Sequence, residues 1–218
     1  MLYLYAFVRP DASVPDEPGI EGRPPVLVPL RRVAAVVADV DGKVEPTDDH
    51  VLTHARVVDA VAAANDAVLP VRFGRGFRSV EELEASVERI VDELEEGLDR
   101  VSGCVEIGLQ VVGREKPTAR VFSGRDYMQR RMREIAHADA VAEAIHAPLA
   151  ERARAATQTR GAAQQPLLRA SYLVARDDVD GFRASVDDVR RRHADLTFAC
   201  TGPWPPYSFA SLDDEGEE

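Results

Sequence analysis

The chain has 218 residues, of which 45% are hydrophobic and 30% are charged, a composition typical of globular domains and unlike that of disordered or fibrous proteins. Its 27 basic and 38 acidic residues give a formal net charge of −11, which argues against nucleic acid as a partner because phosphate binding needs a basic surface. No apolar run approaches the roughly 20 residues that span a bilayer, and no basic segment precedes the apolar N-terminal stretch. We therefore expect a cytoplasmic protein with no membrane partner.

The first half of the chain alternates short apolar runs with segments of helical periodicity. The predicted elements are strands 2–8 and 32–39, helix 50–65, strand 68–74, helix 80–98 and strand 104–112. Residues 10–29, dense in Pro, Gly and Asp, are expected to form a surface loop, and Pro70 should place its strand at an edge or a bulge. Strand 32–39 is apolar enough to be covered on both faces. The order is that of a ferredoxin-like, split βαβ domain, which we expect to carry helices on one face of its sheet.

The second half predicts a long helix followed by a βαβ unit. The helix runs from Ser123 or Gly124 to about Arg160, and Pro148 must kink or end it. Strand 167–175, helix 179–192 and strand 196–201 follow. We therefore predict an α+β fold of two domains: residues 1–117, ferredoxin-like, and residues 118–218, a variant with a long helix.

Residues with metal-ligating or catalytic chemistry form no convincing set. His50 and His54 lie four residues apart on a predicted helix and could present two imidazoles to a metal, but no third ligand has a recognisable spacing. A solvent-facing His50 and a helix-packed His54 are the preferred alternative. Cys104 and Cys200 lie inside apolar runs, which indicates buried free thiols.

Two glycine-containing motifs are equally weak as ligand sites. The motif Gly74–Phe77 lacks the third glycine, the lysine and the ribose acid of a nucleotide loop, so a tight connection from strand to helix is preferred. The motif Ser123–Met128 could offer an arginine and a hydroxyl, although Asp126 is also what a helix start favours. Since no nucleophile motif occurs either, we predict no enzyme activity, no catalytic residue, no cofactor, no metal and no small-molecule ligand.

The segment Gly202–Phe209 combines three prolines with three aromatic residues. Because proline fixes φ, the segment can display Trp204, Tyr207 and Phe209 at low entropic cost, as binding hot spots require. Alternatively, the same aromatic side chains pack back over the sheet as a C-terminal plug.

Several motifs together carry a resemblance. These are Tyr3-Leu-Tyr5, a helix with His54, Val68-Leu-Pro-Val-Arg-Phe-Gly74, Glu106-Ile-Gly108, Ser123-Gly-Arg-Asp-Tyr127 and Thr201-Gly-Pro-Trp-Pro-Pro-Tyr-Ser-Phe209. In this order, over nearly the whole chain, they resemble the GvpF/GvpL family of gas vesicle proteins.

The resemblance implies a minor, non-enzymatic gas vesicle protein that acts in vesicle nucleation and assembly. It implies contacts with the hydrophobic shell protein GvpA and with other accessory Gvp proteins, and a role in limiting shell-protein aggregation. The candidate protein-interface residues are Arg72, Phe73, Tyr127, Trp204, Tyr207 and Phe209.

Two other hypotheses are compatible with these residues. One is a small-molecule-binding or enzymatic ferredoxin-like domain that uses His54, Arg72 and Tyr127. The other is a coiled-coil homodimer through helix 128–149, against which Asp139 in its apolar stripe and Pro148 near its end both argue.

Overall fold

The computed structural model of the chain describes residues 1–113, 124–159 and 166–210. The chain forms two compact units, of which one comprises Met1–Val105 and the segment that starts at Trp204, and the other comprises Glu106–Pro203. Each unit contains one β-sheet, and the predicted α+β class is confirmed. The predicted domain boundary at residues 117 and 118 lies outside the described residues and stays a prediction.

The first unit is a five-stranded sheet with helices on both faces. Its strands are β1 (Leu2–Val8), β2 (Val26–Leu30), β3 (Val33–Asp39), β4 (Val68–Pro70) and β5 (Gly76–Phe77). Its helices are α1 (Asp48–Ala64), α2 (Val80–Glu88) and α3 (Val91–Val101). The strand order is β2-β3-β1-β4, β5 also pairs with β1, and all these pairings are antiparallel.

Both faces of β1 are buried. A bulge at Tyr5 shifts the pairing with β3, so that Tyr3, Tyr5, Ala6 and Val8 all pack in one apolar cluster with α1. On β4, Val68 belongs to this same cluster, whereas the side chain of the next residue, Leu69, reaches Gly97 of α3. Successive side chains of a strand point to opposite faces, so α1 and α3 cover opposite faces of the sheet. The expectation of helices on one face is therefore wrong.

The second unit is a four-stranded sheet covered by two helices. Its elements are β6 (Cys104–Gly113), α4 (Gly124–Ala150), β7 (Ala155–Thr159), β8 (Leu168–Ala175), α5 (Val179–Arg192) and β9 (Leu196–Trp204), and the strand order is β7-β8-β6-β9. The terminal residues Cys104 and Val105 of β6 and Trp204 of β9 are counted with the first unit. Apolar side chains of β6, α4, β8 and α5 form its core, among them Ile107, Ile145, Tyr172 and Phe182. Strand β6, predicted as the last strand of the first domain, thus pairs in the second sheet.

Three elements differ from the sequence-based expectation. Strand β2 lies almost entirely in the predicted loop 10–29. Its Pro29 is tolerated because β2 is an edge strand. The helix predicted to run to about Arg160 ends at Ala150, two residues after Pro148, and strand β7 occupies part of the remaining stretch. The predicted helix 80–98 is two helices, α2 and α3, which pack on different strands: α2 on β2 and β5, α3 on β3 and β4.

Helix α4 is buried along only part of its length. Toward its C-terminal end, Ile145 and Leu149 are fully buried in the core of the second unit. In its first half, Met128, Met132 and Ile135 continue the same stripe but are 64%, 67% and 46% exposed. Among the helices of the described residues, none combines the length and the hydropathy needed to cross a bilayer.

This difference along α4 predicts a contrast between two isoleucine truncations. Replacing Ile145 by Ala should lower the free energy of unfolding by about 2–5 kcal/mol, because a fully buried side chain leaves a cavity. Ile135→Ala, the same change at an exposed site, should alter it by less than about 0.5 kcal/mol. Urea denaturation followed by circular dichroism measures both, and equal losses would mean that the first half of α4 is covered.

Candidate functional site: an aromatic cluster and the proline-rich segment

An aromatic cluster lies between β1, α1 and the loop after β4. It consists of Tyr3, Tyr5, His54 and Phe73, whose contacting ring centroids are 5.1–5.8 Å apart. The His54 imidazole stacks on the Tyr5 ring and meets Tyr3 and Phe73 edge to face. Such offset and edge-to-face contacts each add to the stability that burial of the rings provides.

A chain of hydrogen bonds fixes the protonation of His54. Its Nε2 lies 3.0 Å from the carbonyl oxygen of Val71, which can only accept, so Nε2 carries the proton. Its Nδ1 lies 3.0 Å from the Tyr3 hydroxyl, which therefore donates to it. The N–H of Gly74 in turn donates to the Tyr3 hydroxyl over 3.1 Å. These bonds tie α1 and β1 to residues 71–74 and so hold the loop that carries Arg72 and Phe73.

Burial determines the ionisation of His54 and of Tyr3. Desolvation lowers the pKa of His54 to about 4, although its hydrogen bond to Val71 opposes the shift. Desolvation also raises the pKa of Tyr3 to about 12, against the effect of the Gly74 hydrogen bond. Both groups are therefore neutral at physiological pH and serve as hydrogen-bonding elements of the core.

The Tyr5 hydroxyl fastens a second loop to the cluster. It accepts a hydrogen bond of 3.0 Å from the N–H of Ile20, whose side chain is fully buried. The preceding residue must be glycine, because a Cβ on Gly19 would lie 2.7 Å from this hydroxyl and 2.4 Å from the carbonyl oxygen of Arg23.

The proline-rich segment closes over the first unit. Pro205 and Pro206 are buried, Tyr207 packs against the cluster that contains Tyr3, and Phe209 is 9% exposed. Arg100 of α3 donates to the carbonyl oxygen of Phe209 over 3.0 Å. Burial raises the pKa of the Tyr207 hydroxyl, and nearby Asp59 adds to the rise. Tyr207 and Phe209 therefore pack inward, as the plug alternative expects.

The candidate interface residues thus fall into three groups. Trp204, at 50% exposure, and Arg72 face solvent, whereas Phe73, Tyr207 and Phe209 pack on or in the core of the first unit. Tyr127 belongs to α4, and its side chain lies outside the described residues. The five candidates whose side chains are described all belong to the first unit, and Trp204 is the exposed aromatic side chain among these five.

Other predicted chemistries find little support in the geometry. Both ring nitrogens of His54 are engaged within the core, so it cannot join His50 on a metal or act on a ligand with Arg72. Within the described ranges, no group of three or more His, Cys, Asp or Glu side chains could hold a metal ion. In the motif Gly74–Phe77, residues Gly76 and Phe77 form β5 and pair with β1, as expected for a tight connection.

The second unit contains another buried histidine–tyrosine pair, which the sequence does not predict. In the second unit, Nδ1 of His146 on α4 lies 2.9 Å from the hydroxyl of Tyr172 on β8. The ring of Tyr172 also packs on Phe182. A helix is thus linked to a central strand in the same manner as His54 and Tyr3 link α1 to β1. No spacing in the sequence signals this pairing, because its members are 26 residues apart.

The pKa of His54 predicts a pH-dependent loss of stability. The unfolded chain binds a proton here near pH 6.5, whereas the folded chain does so only near pH 4, so the stabilisation is complete above about pH 6.5 and is lost as the pH falls toward 4. Between these limits, the stability advantage of the wild type over His54→Gln should shrink by up to about 3 kcal/mol. Urea denaturation at a series of pH values measures it. His50→Gln, on the same helix but outside the cluster, should keep the wild-type slope, and a parallel pH dependence for His54→Gln would contradict the assignment.

The proline-rich segment predicts opposite roles for two of its aromatic side chains. Phe209→Ala should lower the free energy of unfolding by about 3–5 kcal/mol, since it empties a buried site. Trp204→Ala should change it by less than about 1 kcal/mol, because half of this side chain is already in water. Chemical denaturation of both variants gives the values, and a large loss for Trp204→Ala would place Trp204 in the plug as well.

Comparisons with known proteins agree with this architecture. The family model described as gas vesicle synthesis protein GvpL/GvpF matches residues 1–211. Gas vesicle protein F1 of Halobacterium salinarum is 28% identical, with 100% of this chain and 96% of that protein covered. Gas vesicle protein L of a Streptomyces species is 31% identical, with 98% and 94% covered. The crystal structure of GvpF from Anabaena shares the fold, with a TM-score of 0.83 at 14% identity over 100% of this chain and 98% of that one. The chain belongs to the GvpL/GvpF family of gas vesicle synthesis proteins.

Proposed function

We propose that this protein acts in the nucleation and assembly of gas vesicles, where it binds the shell protein GvpA and other accessory Gvp proteins and limits GvpA aggregation. Membership of the GvpL/GvpF family supports a role in gas vesicle synthesis. The binding of GvpA is our inference, and it gives the chain a binding function without catalysis.

The observation that carries the proposal is the display of Trp204. Its side chain is 50% exposed, while the residues that follow it, Pro205, Pro206 and Phe209, are buried. Anchoring on one side of the tryptophan reduces the entropy that a partner must remove on binding. Tryptophan is also the residue type most enriched among binding hot spots.

Charge supports the proposed effect on aggregation. A shell subunit that will form an apolar wall exposes apolar surface before assembly, and such surface drives aggregation. A bound protein with a net charge of −11 would cover part of that surface, and the resulting complexes would repel one another. The same charge would weaken the chain's own self-aggregation at apolar sites.

Co-expression with tagged GvpA, followed by pull-down, tests the proposal. We expect the wild-type chain to be retained specifically and to increase the fraction of GvpA that stays in solution. Trp204→Ala should reduce retention by about tenfold or more, as the loss of a hot-spot side chain does.

The matched control is Val26→Ala. Val26 is an apolar residue with the same 50% exposure, on the edge strand β2, and its loss should leave retention unchanged. Circular dichroism verifies that each variant is folded. If the folded wild-type chain retains no GvpA, then GvpA is not a direct partner. If Trp204→Ala binds like the wild type, then the interface lies elsewhere.

A further inference from the structure

Strand β9 forms one edge of the sheet in the second unit. In the order β7-β8-β6-β9 it pairs with β6 on one side, and within the described ranges no strand pairs with its other side. Every second residue of an edge strand points its backbone N–H and C=O groups away from the sheet, where they can pair with the backbone of another strand. The edge is long, because β9 extends over nine residues, Leu196–Trp204.

This edge lacks the features that usually keep an edge strand from pairing with other chains. The sequence of residues 196–201 is Leu-Thr-Phe-Ala-Cys-Thr, with no charged residue, no proline and no glycine, a composition that favours strand pairing. By contrast, β2, an edge strand of the first sheet, contains Pro29, and β7, the other edge of the second sheet, has only five residues. Of these three edge strands, β9 is therefore the best suited to accept a further strand.

A row of apolar side chains along β9 is incompletely covered. Leu196, Phe198 and Cys200 pack against the core of the second unit but are only partly buried. On the neighbouring strand β6, Ile107 and Val111 face the same core and are fully buried. The difference arises because β6 lies between two strands, whereas β9 lies at the edge. A strand added beside β9 would cover this row with its own apolar side chains.

The opposite face of β9 carries small side chains. Thr197, Ala199 and Thr201 alternate with the partly buried row and are exposed. The segment that fits this edge is therefore extended, has apolar residues at alternate positions on the side of the core, and needs no charged residue.

We propose that the edge of β9 binds an extended segment of GvpA, which adds a fifth strand to the four-stranded sheet of the second unit. This inference rests on the proposed function, because it takes GvpA as the partner. Trp204, the residue on which that function depends, is the last residue of β9, so a strand that pairs along the edge ends beside it. An uncharged edge with a partly exposed apolar row also suits a partner whose own surface is apolar. Backbone hydrogen bonds would provide affinity, and the alternate apolar side chains would provide specificity.

Amide hydrogen exchange of the full chain, alone and in complex with GvpA, tests the proposal. We expect exchange within residues 196–201 to slow by about tenfold or more in the complex, because paired strands protect their amides. The free thiol of Cys200 gives a second readout, since its alkylation by N-ethylmaleimide should slow when an added strand covers it. Peptide mass spectrometry separates this reaction from that of Cys104, which is buried and should react slowly with or without GvpA.

A matched pair of lysine variants tests the edge itself. Ala199→Lys places a charge on β9 that a docked apolar strand would have to desolvate, so GvpA retention should fall by about tenfold or more. Ala156→Lys makes the same change at an exposed position of β7, the opposite edge of the same sheet, and should retain GvpA like the wild type. Circular dichroism verifies that both variants are folded.

The outcomes separate this inference from the proposed function. If the wild type retains GvpA while exchange in β9 and alkylation of Cys200 are unchanged, strand addition is overturned and the proposed function stands. Wild-type retention by folded Ala199→Lys, or an equal loss in both lysine variants, would also overturn strand addition alone. If the folded wild type retains no GvpA, the proposed function and the inference fail together.

Discussion

Strands β1 and β3 leave no face for water, and the rest of the first unit follows from this constraint. Six consecutive residues of β1, from Tyr3 to Val8, are buried, as are six of β3, from Val33 to Ala38. A sheet with a buried centre needs a helix layer on each side, which α1 provides on one face and α3 on the other. The bulge at Tyr5 adapts β1 to this double burial, since it turns Tyr5 and Ala6 toward the same cluster.

Polar groups that enter such a core must be fully hydrogen bonded, and the histidine–tyrosine pairs meet this requirement. His54 uses both ring nitrogens, and the Tyr3 hydroxyl both donates and accepts. In the second unit, His146 and Tyr172 repeat the link between a helix and a strand. These bonds give each helix one defined position on its sheet, which apolar packing alone specifies less sharply. In the first unit they also hold the loop with Arg72.

The sequence predicts those elements whose side chains have a one-sided or continuous apolar pattern, such as β1, β3, α1 and α5. Strand β7 has no such pattern, because Ala155–Thr159 is a small, polar edge segment that buries little. The apolar period of 80–98 runs through the break at Ile90, so periodicity could not reveal two helices. Along α4, the stripe is equally apolar where it is buried and where it is exposed. Of the site, the sequence identified the aromatic residues of the proline-rich segment, but which of them pack inward depends on tertiary contacts that leave no local signal.

The first unit is discontinuous, and this orders the events of its synthesis. Arg100 and Phe209, which are hydrogen bonded to each other, are 109 residues apart, and the whole second unit lies between them in the chain. A growing chain on the ribosome can therefore complete the second unit before it completes the first. Until residues 205–209 emerge, the first unit lacks the packing of Tyr207 on its apolar cluster and the hydrogen bond from Arg100 to Phe209. The first unit is therefore completed only after the segment that carries Trp204 has been synthesised.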